Sequence, residues 1–194
     1  RPLAPSSLGE DAAPDPPRPP GAGSEAAKRG VLIHKLLERL PEVPHAEREA
    51  AGRRWLARNA PGLPHEETGM MLQSALDVIG TEAWQELFSG AALAEVPIAA
   101  TVGGQVVVGT IDRLLIEPAR ILLIDYKTAR RPPASLGEVP GAVLRQMAAY
   151  VAALEATYPG RAVEAALLYT QTPQLIAIPQ GVLDPLKLAL QTAQ

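Results

Sequence analysis

The chain contains no cysteine. Disulfides, thiolate zinc sites and iron–sulfur clusters are thereby excluded, which suits a reducing, cytoplasmic setting and leaves oxygen and imidazole as the ligands any metal must use. Long apolar runs are lacking too. Apolar residues make up 47% of the 194 positions, yet no run approaches the roughly 20 residues of a membrane span, so a soluble domain with no membrane partner is expected. Positive charge is not in excess. The formal net charge is −3, which counts against the broad basic footprint of many nucleic-acid binders. Two local clusters soften this: Arg53, Arg54 and Arg58, and then Lys127, Arg130, Arg131 and Arg145. No Walker-type Gly-x-x-x-x-Gly-Lys-Ser/Thr motif occurs, so a nucleotide-driven motor would have to lie elsewhere. Residues 1–23 lack the charged start and apolar stretch of a secretory signal, and a chain opening on Arg1 is expected to be a piece of a longer one.

Residues 1–23 hold seven prolines among Ala, Gly, Ser and Asp. Such a segment has too few large apolar groups to offset the entropy of ordering it and reads as a disordered linker. Residues 24–194 read as one domain. Ser24 is a plausible N-cap, and Leu32, Ile33, Leu36, Leu37 and Leu40 recur at helical spacing until Pro41. Further helices are expected at about 45–59, 65–79 and 82–88. The apolar period then changes to two, giving strands at about 94–101, 105–116 and 121–127, the first two joined by a Gly103-Gly104 turn. A helix at 139–157, strands at 163–170 and 174–178 and a short helix at 184–191 complete the pattern. Helices followed by β-β-β-α-β describe an α/β domain around one central mixed sheet.

Within the two most apolar strands stand charges that need a reason. Asp125 and Lys127 share one face of the third strand, because strand side chains alternate. If Pro118 and Ala119 form a two-residue hairpin loop, pairing is symmetric about them and Asp112 lies directly opposite Asp125. Opposed residues have Cβ atoms roughly 4.5–5.5 Å apart and like charges at that spacing repel. The arrangement makes sense around a cation and reads as a divalent metal site. Hard oxygen ligands suit Mg²⁺ or Mn²⁺. Lys127 is placed to orient water and to stabilise negative charge. The blander reading of Asp125 and Lys127 is a structural ion pair, which has little use for Asp112.

Other candidates are weaker alone. His34 lies at the edge of the first helix's apolar stripe, where a histidine is ordinarily a packed or surface residue. Gln146 and Tyr150 are four residues apart on one helix face, an ordinary polar margin. Glu95 begins a strand and more readily caps a strand edge than reaches the site.

Taken in order, Gly30-Val31-Leu32-Ile33-His34-Lys35-Leu36-Leu37-Glu38, Gly109-Thr110-Ile111-Asp112-Arg113-Leu114, Ile124-Asp125-Tyr126-Lys127-Thr128 and Gln146-Met147-Ala148-Ala149-Tyr150 resemble the PD-(D/E)XK nucleases of the RecB subgroup. The likeness covers about residues 28–178 and is greatest to the C-terminal nuclease domain of AddA-type helicase–nucleases. It implies a restriction-endonuclease-like fold and a Mg²⁺- or Mn²⁺-dependent deoxyribonuclease acting in double-strand break repair. It also implies a metal held by His34, Asp112, Asp125 and the main-chain carbonyl of Tyr126. Asp112, Asp125 and Lys127 would be catalytic, Lys127 lying beside the attacked phosphate, with Gln146 and Tyr150 supporting the site or touching DNA. Implied partners are a single-stranded DNA end, an upstream helicase region of the same chain and an AddB-type subunit. The Pro-Asp opening of the family name is absent here, since Thr110 and Ile111 precede Asp112. The AddB-type relatives frequently carry a four-cysteine iron–sulfur cluster, which this chain cannot hold. Rival readings are a non-catalytic DNA-binding or scaffolding domain of the same fold and a hydrolase of small phosphorylated molecules.

Overall fold

The computed structural model describes residue 4 and residues 22–129 and 131–192. The expected linker at residues 1–23 falls outside these, apart from Ala4, Ala22 and Gly23, and the last two are already helical. Helix α1 (Ala22–Arg39) therefore starts two residues before Ser24, which is not its N-cap. The helix buries Ile33, Leu36 and Leu37, with Leu40 just beyond its end, at the expected spacing. Helix α2 (Arg48–Asn59) packs on helix α3 (His65–Gly80), which in turn packs with α1. Residues 82–88 form a 3₁₀ helix rather than an α-helix.

Among the described residues five strands follow in the spatial order of their sequence: β1 (Ala92–Val102), β2 (Gln105–Ile116), β3 (Arg120–Lys127), β4 (Ala162–Tyr169) and β5 (Gln174–Ile178). Only β3 and β4 run parallel, and helix α4 (Gly141–Thr157) crosses between them. The result is a mixed sheet with helices on both faces, consistent with a restriction-endonuclease-like fold. One face packs Ile124, Tyr126, Ala166 and Leu168 under the α1–α3 layer. The other packs Ile98, Ile111, Leu123 and Leu167 under α4 and the last helix, α5 (Gln180–Thr192). β3 and β4 are buried on both sides, which is why they read as nearly unbroken apolar runs.

Both tight turns form as their residues dictate. Gly103 and Gly104 have φ of 54° and 82°, the double left-handed conformation that a two-residue hairpin turn requires. A side chain at Gly103 would also meet the Gln191 backbone of α5 at 2.5 Å. At the second hairpin the Glu117 N–H donates to the Arg120 carbonyl at 2.9 Å across Pro118 and Ala119. Arg113 then pairs with Ile124 and Ile116 with Ile121, as symmetry about the loop demands. Helix α5 begins four residues earlier than its sequence suggested and contains Pro185. Val182, Leu183, Leu186 and Leu190 turn one face onto the α4 side of the core; Leu183 is fully buried, worth about 1.5–3 kcal/mol, and the other three are buried in part, which together offset the hydrogen bond that Pro185 cannot make.

Candidate active site

The site lies where the sheet divides. β1 pairs with β2 on both sides of Glu95 and Asp112, through Ala94 with Arg113 and Val96 with Ile111, but those two residues are skipped. On its other edge β2 leaves β3 after Arg113 and Ile124. Asp112 thus stands at a gap in both ladders. Glu95, directly across from it by register, has φ of 51°, a left-handed backbone that a non-glycine residue adopts only at an energetic cost and that often marks a functional site.

Asp112 fills the gap with its side chain. Its Oδ2 accepts a hydrogen bond from the Tyr126 N–H at 2.7 Å, taking the place of a carbonyl that β2 no longer offers. Its Oδ1 lies 3.2 Å from His34 Nδ1. Burial opposes charging of the imidazole, but the hydrogen bond and charge of Asp112, with the charges of Asp125 and Glu95, outweigh it and raise the His34 pKa above its ordinary 6.5. The His34 ring also meets Tyr126 edge-on at 5.5 Å. On the neighbouring strand the Lys127 carbonyl accepts from the Thr170 N–H at 3.0 Å, on the β4 side. Backbone groups of successive strand residues alternate between edges, so the Tyr126 carbonyl faces the β2 side, where its own N–H meets Asp112.

Asp125 is buried, and its Oδ2 is 2.8 Å from Lys127 Nζ. The contact is at ion-pair distance, yet Oδ2 receives no well-directed hydrogen bond. Burial pushes this carboxyl's pKa up, as does the Asp112 carboxylate, against the pull of Lys127. The β2–β3 register runs as expected as far as Arg113 opposite Ile124 and stops short of Asp112 and Asp125, and the two are not bare charges face to face: His34 and the Tyr126 amide engage one, Lys127 the other. The expected repulsion is already softened by the chain's own groups.

Helix α4 supports the site from below. Lys127 Nζ donates to Gln146 Oε1 at 3.2 Å, and the Tyr150 hydroxyl donates to the Thr110 carbonyl at 2.9 Å. Both side chains are buried, and burial pushes the Tyr150 pKa up to about 12. The Tyr150 ring lies so close to β2 that a Cβ at Gly109 would sit 2.8 Å from it. Arg113 anchors the other face: its Nε donates to the Leu87 carbonyl at 2.6 Å, and its guanidinium lies 5.1 Å from the Phe88 ring centre.

A cleft of about 400 Å³ opens here, lined by His34, Lys35, Glu95, Thr110, Asp112 and Thr128 among others. Ligand atoms of His34, Glu95 and Asp112 lie within 4.8 Å of one another, a mixed oxygen and imidazole set that fits Mn²⁺ or Mg²⁺. Glu95 was underrated by its sequence. The signal was present, because a turn symmetric about Gly103 and Gly104 places residue 95 opposite residue 112, as the other hairpin places residue 125.

Among the described residues no helix is long and apolar enough to cross a membrane. No curated protein matches the sequence. Among solved structures, a protein from Eubacterium rectale provisionally described as an exonuclease superposes with a TM-score of 0.63 at 10% identity, over 99% of this chain and 78% of that one. At that identity the likeness speaks for the fold alone. A protein designated SSO0001 aligns over 83% of this chain and 76% of that one at 18% identity, with a TM-score of 0.32 that carries no argument. The family model of the PD-(D/E)XK nuclease superfamily, whose members use divalent metals, matches residues 10–190, and the chain belongs to that superfamily.

Proposed function

We propose that the chain is a metal-dependent deoxyribonuclease domain that hydrolyses phosphodiester bonds. The observation that carries this reading is the convergence of His34, Glu95 and Asp112 in one cleft, beside a Lys127–Asp125 pair. His34 and Asp112 would hold the ion, with Glu95 on the β1 side and Asp125 and the Tyr126 carbonyl on the β3 side. When bound, it supplies Lewis acidity and makes water acidic enough to attack near neutral pH. The protein's own part is positioning and charge. Asp112 holds His34 and the Tyr126 amide together, so that α1 and β3 keep their separation. Gln146 steers Lys127, whose ammonium stabilises charge that grows on a phosphate oxygen. Tyr150 fixes β2 two residues from Asp112 and has a hydroxyl committed to Thr110, which makes it a support rather than an acid.

The motif order further supports placing this domain as the nuclease module of an AddA-type helicase–nuclease. That assignment brings an upstream helicase region, an AddB-type partner, a single-stranded DNA end as substrate and a role in double-strand break repair. One observation favours the rival, a scaffolding domain with the same fold: Lys127 and Asp125 lie at ion-pair distance, as a structural pair would. Incubating the purified chain with end-labelled single- and double-stranded DNA in EDTA, Mg²⁺ or Mn²⁺ separates the two. Cleavage in Mg²⁺ or Mn²⁺ and none in EDTA supports the nuclease; DNA binding without cleavage in any metal supports the scaffold.

A further inference from the structure

Lys35 emerges from α1 directly after His34. Its Nζ is 2.6 Å from Glu38 Oε2 and 3.7 Å from Glu95 Oε2. Among the described residues lining the cleft it is the only lysine or arginine. Lys127, the other lysine of the site, is already engaged by Asp125 and Gln146 and is less exposed than Lys35, at 23% against 37% of the side chain. Lys35 therefore touches one candidate metal ligand and stands where a strand entering the cleft would bring its phosphates.

We propose that Lys35 is a substrate-positioning residue that holds Glu95 before metal binds, competes with the ion for that carboxylate, and pairs with a backbone phosphate of the strand in the cleft. The proposal rests on the metal-site reading above. An ammonium and a divalent cation repel each other, so a carboxylate drawn to the metal leaves the lysine with less negative charge to answer. Glu38, outside the donor set, still keeps the ammonium near the cleft, and a phosphate oxygen replaces Glu95 as its second partner. A lysine recognises phosphate as a compact point charge without demanding a fixed approach, which suits a strand that must move through the site.

Two affinities should then respond in opposite directions. In Lys35→Gln, Mn²⁺ binding followed by calorimetry should tighten severalfold, because the positive charge 3.7 Å from Glu95 Oε2 no longer opposes the ion or competes for its ligand. The KM for a single-stranded oligonucleotide should rise severalfold with kcat little changed, as for a contact made equally in ground and transition states. The dependence of log KM on log salt should become shallower by about 0.7, the loss of one phosphate contact on a single strand. Lys35→Arg should restore the parental KM and Mn²⁺ affinity. The melting temperature should barely move, since exposed ion pairs contribute little. If the parent binds no Mn²⁺, the metal-site reading itself fails. If the parent binds Mn²⁺ and cuts DNA while Lys35→Gln keeps the parental KM, or binds Mn²⁺ no more tightly than the parent, the role given to Lys35 is wrong and the site stands.

Discussion

Replacing Lys127 by methionine keeps most of the side-chain volume and removes the charge, so it isolates what the ammonium does. In the metal-free protein the buried Asp125 carboxylate loses the cation 2.8 Å away. Breaking a fully buried pair costs about 3–5 kcal/mol. Lys127 is a quarter exposed, and protonation of Asp125 provides an escape, so about 2–3 kcal/mol is expected after discounting for solvent. At about 2–4 °C per kcal/mol for a domain of this size, the melting temperature in EDTA should fall by roughly 5–10 °C. The pH dependence has a definite sign. A carboxyl whose folded pKa is raised favours the folded state at low pH and loses that contribution as pH rises through the folded value. Lys127→Met should therefore approach the parent as pH falls. Added Mn²⁺ should also narrow the gap, because a cation beside Asp125 replaces the lost charge. Nuclease activity should drop by two to four orders of magnitude, the usual worth of a group acting on charge or protons in a transition state, ~10²–10⁴-fold. Parallel melts and rate measurements decide the matter. A parental melting temperature in EDTA would show that the ion pair carries no energy, and more than about a tenth of the activity would remove Lys127 from the mechanism.

Two other outcomes follow from the geometry. Gly109→Ala should cost about 1–3 kcal/mol by driving a methyl into the Tyr150 ring, and combining it with Tyr150→Ala should cost less than the sum of the two; strict additivity in denaturant melts would mean that the close approach is not a constraint. The raised pKa of His34 stabilises the metal-free protein fully below its unfolded value near 6.5 and loses that contribution as pH rises through the folded value; His34→Asn should flatten this slope, and an unchanged slope would assign it to other groups.

The sheet was legible because two-residue loops leave no freedom of register: Gly103-Gly104 sets β1 on β2, and Pro118-Ala119 sets β2 on β3 as far as Arg113 opposite Ile124. The helix stripe of Ile33, Leu36, Leu37 and Leu40 was legible for the same kind of reason, a period that a single surface imposes. What escaped was tertiary. Nothing local in the strand sequence says that β2 parts from both neighbours at Asp112, or that Glu95 takes a left-handed backbone to turn toward it. Gln146 and Tyr150 read as a polar margin because their helix has apolar residues almost all round, and Ala148, Ala149, Ala152 and Ala153 let it lie close enough to the sheet to bury the margin as well. The 3₁₀ helix at residues 82–88 and the early start of α5 depend on packing that propensity does not encode.

The central claim is that His34, Glu95 and Asp112 form a divalent metal site, and metal-dependent melting of the parent and Asp112→Asn tests it most directly. A ligand at a hundredfold excess over its dissociation constant stabilises by about 2.7 kcal/mol, so the parent should melt roughly 5–10 °C higher in saturating Mn²⁺ than in EDTA. Asp112→Asn, which weakens the contacts to His34 and the Tyr126 amide, should melt somewhat lower than the parent in EDTA and gain almost nothing from Mn²⁺. A parent with no shift in Mn²⁺ or Mg²⁺, or an Asp112→Asn variant with the full parental shift, would contradict the account and leave Asp112 as a structural clasp between α1 and β3.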